Sequence, residues 1–416
     1  MHRVMLLLLL LAFVLPLHAQ DDDPPLDHPL IDLLQLALDD ERSAFTYYFD
    51  FAASEAARDY IPQIDTVEQW QTLLPPVTAY TGRWFSLPDV LNQGVLFNVA
   101  RVPDVMGFDF FAVDRVLGFG APPAGGVVWG LDYDAQSVID AHTARGYTEA
   151  TRGDLALLCG PQGCDAPPEV DFNAADQANL FDPSLGRAFP VALLDDALVS
   201  AGTIATLDQI NAGDVLYNTE LYQRATDALI AAGGEDAALV QAQFVPSGDF
   251  VRRVVDFDEP DTVSEIPDVL QGFDPNIADF PMWAQGYSYL PPFDLLAFGD
   301  FQDGDEQVAV LVIMPTTGLD AVLIAFELEQ RLMAFTDRMQ FGGNATVLDR
   351  FDGALQARAV GEDEDTIVVV TVRYPNPPED EEIEAGNDII PAQIYRIWTR
   401  ALATGGFYPL WDVALP

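Results

Sequence analysis

Apolar positions along the chain recur with two different periods. Spacing near 3.6 predicts helices over Leu30–Leu38, Ala52–Tyr60, Asp109–Phe119, Asp134–Ala144, Thr203–Asn211, Asn218–Ala232, Leu319–Phe335 and Ile390–Ala403. Leu319–Phe335 carries the clearest amphipathic pattern, and glycines close several of the others, among them Gly146, Gly233-Gly234 and Gly405-Gly406. Runs rich in β-branched and aromatic residues predict strands over Phe45–Phe51, Val127–Asp132, Asp154–Cys159, Arg187–Leu194, Ala197–Ser200, Ala238–Phe244, Leu295–Phe301, Gln307–Met314, Ala354–Val360 and Thr366–Tyr374. Asp195-Asp196, Asp303-Gly304 and Gly361–Asp365 fall between neighbouring strands and read as hairpin turns.

The order strand–helix–strand–strand–helix recurs around 126–212 and again around 307–403. This predicts an α+β fold built from two related units of split βαβ type with antiparallel sheets. Residues 252–290 are rich in Asp, Pro and Glu with little periodicity, and read as an acidic, Pro-containing connection. The expected organisation is an N-terminal α+β domain over 30–251, a connection over 252–290 and a C-terminal α+β domain over 291–416.

The N-terminus has the three parts of an export signal: basic Met1-His2-Arg3, an apolar run from Val4 to Leu17, and Leu17-His18-Ala19 as a cleavage site. The run is short for a membrane span of ~20 residues. Residues 1–19 are therefore expected to be a cleaved signal peptide and 20–29 a disordered leader, which makes the protein secreted or extracytoplasmic with no transmembrane span. The two cysteines fit that compartment. Cys159 and Cys164 enclose Gly-Pro-Gln-Gly, a tight turn, and a disulfide between them is the expected state.

Charge narrows the chemistry further. The chain has 416 residues, 66 acidic against 19 basic, and a net charge of −47; every basic residue is Arg. Without Lys there is no Schiff base and no phosphate-loop lysine. So negative a surface repels nucleic acid and anionic lipid, leaving cations, neutral polymers and proteins as partners.

Candidate sites are few. Of four His, only His28 and His142 follow the signal, the first in the leader and the second on a half-exposed helix face, too few for a zinc site built on His; a Ser-His-Asp triad would have to use His142, and no Gly-x-Ser-x-Gly elbow occurs. No glycine-rich fingerprint opens a helix, so no cofactor is expected. Asp300, Asp303, Asp305 and Glu306 resemble a calcium loop, but the acids fall out of the alternating register such a loop needs. Asp132 and Asp134 read as strand-end and N-cap residues, Asp256 and Asp258 as exposed, and the acidic runs at 362–365 and 379–384 as solvated loops able to collect divalent cations weakly. Trp84, Trp129, Trp283, Trp398 and Trp411 suit a core or a stacking face, with Met282–Tyr289 the aromatic segment in otherwise polar surroundings.

Phe45–Arg58, Gly107–Pro123, Gly130–Tyr147 and Asn218–Leu229 resemble a group of bacterial exported proteins and lipoproteins of unknown function. The resemblance implies export and carries no functional residues. Many members have a lipobox Cys, and this chain has none, which argues against a lipid tether. The reading reached from the residues is a non-enzymatic binding or assembly protein at the cell surface, with an extracellular protein or polymer as partner. Two alternatives stand beside it: a hydrolase working with carboxylates alone, of glycosidase type, and a solute- or cation-binding protein.

Overall fold

The computed structural model describes residues 26–39, 46–56, 66–68, 98–120, 125–182, 185–246, 293–318, 321–333, 347–376, 394–395 and 397–399. The fold is α+β and its centre is one antiparallel sheet of twelve strands. The strands are β1 (Thr46–Asp50), β2 (Val113–Phe119), β3 (Gly126–Leu131), β4 (Thr148–Arg152), β5 (Leu155–Cys159), β6 (Val191–Leu193) and β7 (Ala197–Ala201), then β8 (Ala238–Pro246), β9 (Phe293–Asp303), β10 (Glu306–Pro315), β11 (Ala354–Val360) and β12 (Ile367–Pro375). Their spatial order is β11-β12-β10-β9-β8-β1-β2-β3-β7-β6-β5-β4.

That order turns about the β1–β8 pair. Outward from β1 run β2, β3 and β7; outward from β8 run β9, β10 and β12, and β1 lies antiparallel to β8. Each half thus has a central strand, a hairpin beside it, and a strand that returns next to the hairpin. In the second half β10 and β11 run parallel with β12 between them, the split βαβ arrangement. The first half differs in length, since β4, β5 and β6 extend the meander before β7. The matching units therefore start earlier than 126 and 307, at β1 and β8. The two halves expected on either side of 252–290 also share the sheet, through the β8–β9 pairing from Ala238↔Gln302 to Pro246↔Leu295. Residues 252–290 themselves lie outside the described residues.

Alternation along the strands gives the sheet two buried faces. One face carries a single apolar cluster across its width, including Leu117, Val199, Phe244, Phe301 and Val310. The helices α1 (Pro29–Leu34), α5 (Ile204–Ala212) and α6 (Glu220–Gly233) cover it. The opposite face carries two clusters. One lies under α3 (Val102–Met106) and α4 (Ala135–Ala144), around Trp129 and Leu198. The other lies under α7 (Ala321–Met333) and α8 (Val347–Phe351), around Phe298, Leu311 and Val370. Gln241, Gln243 and Asp300 fall between those clusters, all buried, and Gln241 Nε2 donates to Asp300 Oδ2 at 2.9 Å. The short α2 (Phe51–Ala56) follows β1, and Asp50 caps its start by accepting from the Ala53 amide at 2.7 Å.

Two sequence expectations are corrected. Asp109–Phe119 is a single 3-10 turn, Phe110–Ala112, followed by strand β2 rather than a helix. As a strand the segment sends Val116 to one face and Leu117 and Phe119 to the other, so a sheet buried on both sides absorbs the whole apolar run. The expected leader is also shorter than 20–29: Pro29 opens α1, and His28 Nδ1 accepts from the Leu30 amide at 3.1 Å as its N-cap.

Helix α7 is amphipathic in an unusual sense. Ala321, Ile324, Ala325 and Leu328 face the sheet, and Glu327 is buried with them, while Val322 and Phe326 are 68% and 59% exposed. Phe326 therefore adds little to stability. Phe326→Ser is expected to change the unfolding free energy by no more than about 0.5 kcal/mol, whereas Leu328→Ala, which empties a buried site, costs about 2–5 kcal/mol. Paired urea melts of the two variants check this contrast.

Candidate functional site

A cleft of about 480 Å³ opens where α3, α4, the cystine loop and the loop before β6 converge. Its walls are of mixed character. Val105, Ala141, Ala144, Tyr147, Pro161 and Ala188 supply apolar surface. Asp104, Glu169, Asp171, Asp176, Arg145 and Arg187 supply charge.

Each wall is held by local chemistry. Asp134 caps α4, with Oδ2 accepting from the Ser137 amide at 3.0 Å and from Ser137 Oγ at 2.6 Å; these bonds hold its carboxyl below the usual range. Gly107 ends α3 with φ +81°, and a side chain there would strike the Ser137 carbonyl of α4, so the two helices approach closely. The cystine loop is the turn read from the sequence. Cys159, the last residue of β5, bonds to Cys164, and the Gly163 amide donates to the Gly160 carbonyl at 2.8 Å. The loop before β6 is organised by buried Asp182, which accepts from the Leu185 and Arg187 amides at 3.1 Å each and from Arg187 Nε at 2.7 Å. Gly186, at φ +65°, passes so close to the Asp171 carbonyl that no side chain fits.

The two arginines of the cleft differ. Arg187 is neutralised by Asp182 and lies 4.6 Å over the Phe189 ring. Arg145, half-buried at the C-terminal end of α4, donates from Nη1 to the Val105 carbonyl at 3.2 Å and lies 5.6 Å from the Tyr147 ring centre. No carboxylate among the described residues pairs with it; nearby Asp176 is held by Arg101 at 2.7 Å. Burial pushes the Arg145 guanidinium below its ordinary value, and Tyr147 and Asp176 pull it back up.

His142 lies one turn before Arg145 and is fully buried, not half exposed as its helix pattern suggests. Its Nδ1 meets the Val138 carbonyl at 2.9 Å, and its ring stands edge-on to Tyr147 with centroids 5.0 Å apart. Burial first, and the Arg145 charge second, lower its pKa to about 4, so it is neutral near pH 7 and Nδ1 carries the proton given to Val138. It is a packing residue next to the cleft, not one lining it.

The other sequence candidates do not converge. Asp300 is buried against Gln241, while Asp303 and Glu306 flank the hairpin turn and face Arg373, at 2.6 Å and 3.5 Å. Among the described residues no three His, Cys, Asp or Glu side chains group as a metal site. Asp132 is exposed, Asp134 caps α4, and Trp129 and Trp398 fill the core. Asp256, Asp258, Trp84, Trp283, Trp411 and Met282–Tyr289 lie outside the described residues. No helix among the described residues is long and apolar enough to cross a membrane.

No family model and no curated protein matches the chain. Among solved structures it is similar to two entitled "Structure of crystal form I of TP0453" and "Structure of crystal form III of TP0453". Both share 8% identity with it, at TM-scores of 0.31 and 0.34. The first comparison covers 82% of this chain and 92% of the other; the second covers 85% and 95%.

The cystine closes only a short loop, so its stabilisation is modest. Replacing both Cys159 and Cys164 by Ser is expected to cost about 2 kcal/mol through the freed unfolded chain. The variant should melt below the wild-type protein without reductant and level with it after reduction, as thermal denaturation followed by circular dichroism would show.

Proposed function

We propose that the protein is exported and acts by binding, without catalysis, through the cleft between α3, α4 and the cystine loop. The observation that carries this reading is the cleft itself. Its volume of about 480 Å³ lies in the range of small-molecule sites, and its walls combine apolar surface with a few charged groups. The cystine, Asp182 and the two close-packed glycines fix those walls before any ligand arrives, which lowers the entropic cost of binding. Asp104, Glu169 and Asp171 are exposed at the cleft edge rather than sheltered as a coupled acid pair, which supports binding over carboxylate hydrolysis. The apolar start of the chain and the cystine support an extracytoplasmic location.

The test is retention of small molecules from the medium in which the producing cells grew. The purified exported chain and an Ala166→Trp variant, whose indole fills the cleft, are incubated in that filtrate and examined by native mass spectrometry. A mass adduct on the wild-type chain that the variant lacks is the expected result. No adduct, or the same adduct on both, refutes the reading.

A further inference from the structure

The Arg145 guanidinium sits in the cleft with half of its hydrogen-bonding edge unused. Nη1 is engaged by the Val105 carbonyl, while Nε and Nη2 meet no acceptor among the described residues. Those two nitrogens form the side-on edge that a carboxylate grips with two parallel bonds. The two nitrogens are open to solvent, so a ligand carboxylate would take the place of water as their acceptor and form the stronger, charge-assisted pair. The other arginine of the cleft, Arg187, is already matched by Asp182, and the cleft acid Asp176 is matched by Arg101 outside it.

We infer that the cleft binds a small monocarboxylate with an apolar body, its carboxylate seated side-on against Arg145 and its body against Val105, Ala141, Ala144 and Pro161. This rests on the reading of the cleft as a binding site and names the ligand class. One anionic group is the limit, because Asp104, Glu169, Asp171 and Asp176 also line the cleft and would repel a second. A phosphate, with its higher charge, would want a second free cation that the described residues do not offer. The long-range field of a protein at −47 opposes any anion, but it is screened beyond a Debye length of about 10 Å at 0.1 M salt, so the direct contact decides.

Phenylacetate and its uncharged counterpart phenylacetamide are the probes, titrated calorimetrically into the exported chain, into Arg145→Gln and into Ala166→Trp. The expected result is a dissociation constant of about 10 mM or tighter for phenylacetate, the affinity its few atoms give at the low end of ligand efficiency. Phenylacetamide should bind at least tenfold more weakly. Arg145→Gln should lose the preference for the acid, and Ala166→Trp should lose binding. The comparison of acid with amide on the wild-type chain stands even if Arg145→Gln fails to fold. Equal binding of the two probes, lost in Ala166→Trp, overturns the role of Arg145 and leaves the cleft as a binding site. Acid binding that survives Ala166→Trp overturns the placement of the carboxylate. No binding of either probe overturns the ligand class, and the filtrate experiment then judges the cleft separately.

Discussion

Alanine in place of Phe244 is expected to lower the unfolding free energy by about 3–5 kcal/mol and to do so in a single transition. Phe244 lies on β8, paired with Thr46 of β1 on one side and with Ala297 of β9 on the other. It is completely buried, and its ring packs on Tyr222 of α6 with centroids 5.5 Å apart. It therefore stands where the two matching halves meet. Truncation leaves a cavity against the helix and weakens the strand that joins the halves. Two buried tryptophans report on the halves separately, Trp129 on β3 and Trp398 beyond β12. Urea unfolding of one and the same chain, with the indole N–H signals of Trp129 and Trp398 followed separately by NMR, should give coincident midpoints, shifted together by Phe244→Ala. Midpoints that separate would mean that the halves fold as independent units and that the β1–β8 pairing does not couple them.

The hairpins of the second half were readable because their signals are local. Asp303-Gly304 joins β9 to β10 with a loop of Gly304 and Asp305, and Gly304 adopts φ +54°. Gly361, at φ +107°, opens the turn to β12. The mixed α+β class followed from the same evidence. What could not be read is whatever depends on partners distant in sequence. Strand β4 is exposed at every position and carries no alternation, so only its pairing with β5 reveals it. β2 was mistaken for a helix because a central strand buried on both faces has no single apolar stripe. The joining of the halves by β1 and β8 is a contact between residues 46–49 and 241–244, which no local pattern announces.

The cleft was hidden for the same reason. It gathers residues from Asp104 to Ala188, and its distinguishing feature is that one Arg lacks a carboxylate where its neighbours have one. Composition pointed the other way: 66 acids for 19 arginines favoured cations and neutral polymers as partners, and among so many acids a partly buried Arg free of an ion pair is against the odds. Which Arg that is depends on the loop between Asp165 and Pro190, held by the hydrogen bonds of Asp176 and Asp182 to the backbone.

Acid should destabilise the protein through His142, by about 3 kcal/mol between pH 7 and pH 4. In the unfolded chain its imidazole has an ordinary pKa of 6.5; in the folded protein burial and Arg145 hold it at about 4. Between those values the unfolded chain binds a proton that the folded chain refuses, so stability falls as the pH drops. The contribution is fully present above pH 6.5, is lost on the way to pH 4, and changes no further once both states are protonated. His28 is lowered to about 4 as well, by burial and then by Arg115, and adds to the loss in the same window. Asp50 and Asp227 act in the opposite sense, because burial raises their carboxyls and protonation then favours the folded state. The effect of His142 is therefore isolated by comparison with His142→Gln, which cannot titrate. The wild-type chain should lose about 3 kcal/mol relative to that variant between pH 7 and pH 4 in urea melts, and its His142 Cε1 proton should keep the neutral-ring shift at pH 5. Parallel stability curves for the two proteins would mean that the ring gains a proton without cost, which the fully buried position against Tyr147 and beside Arg145 does not allow.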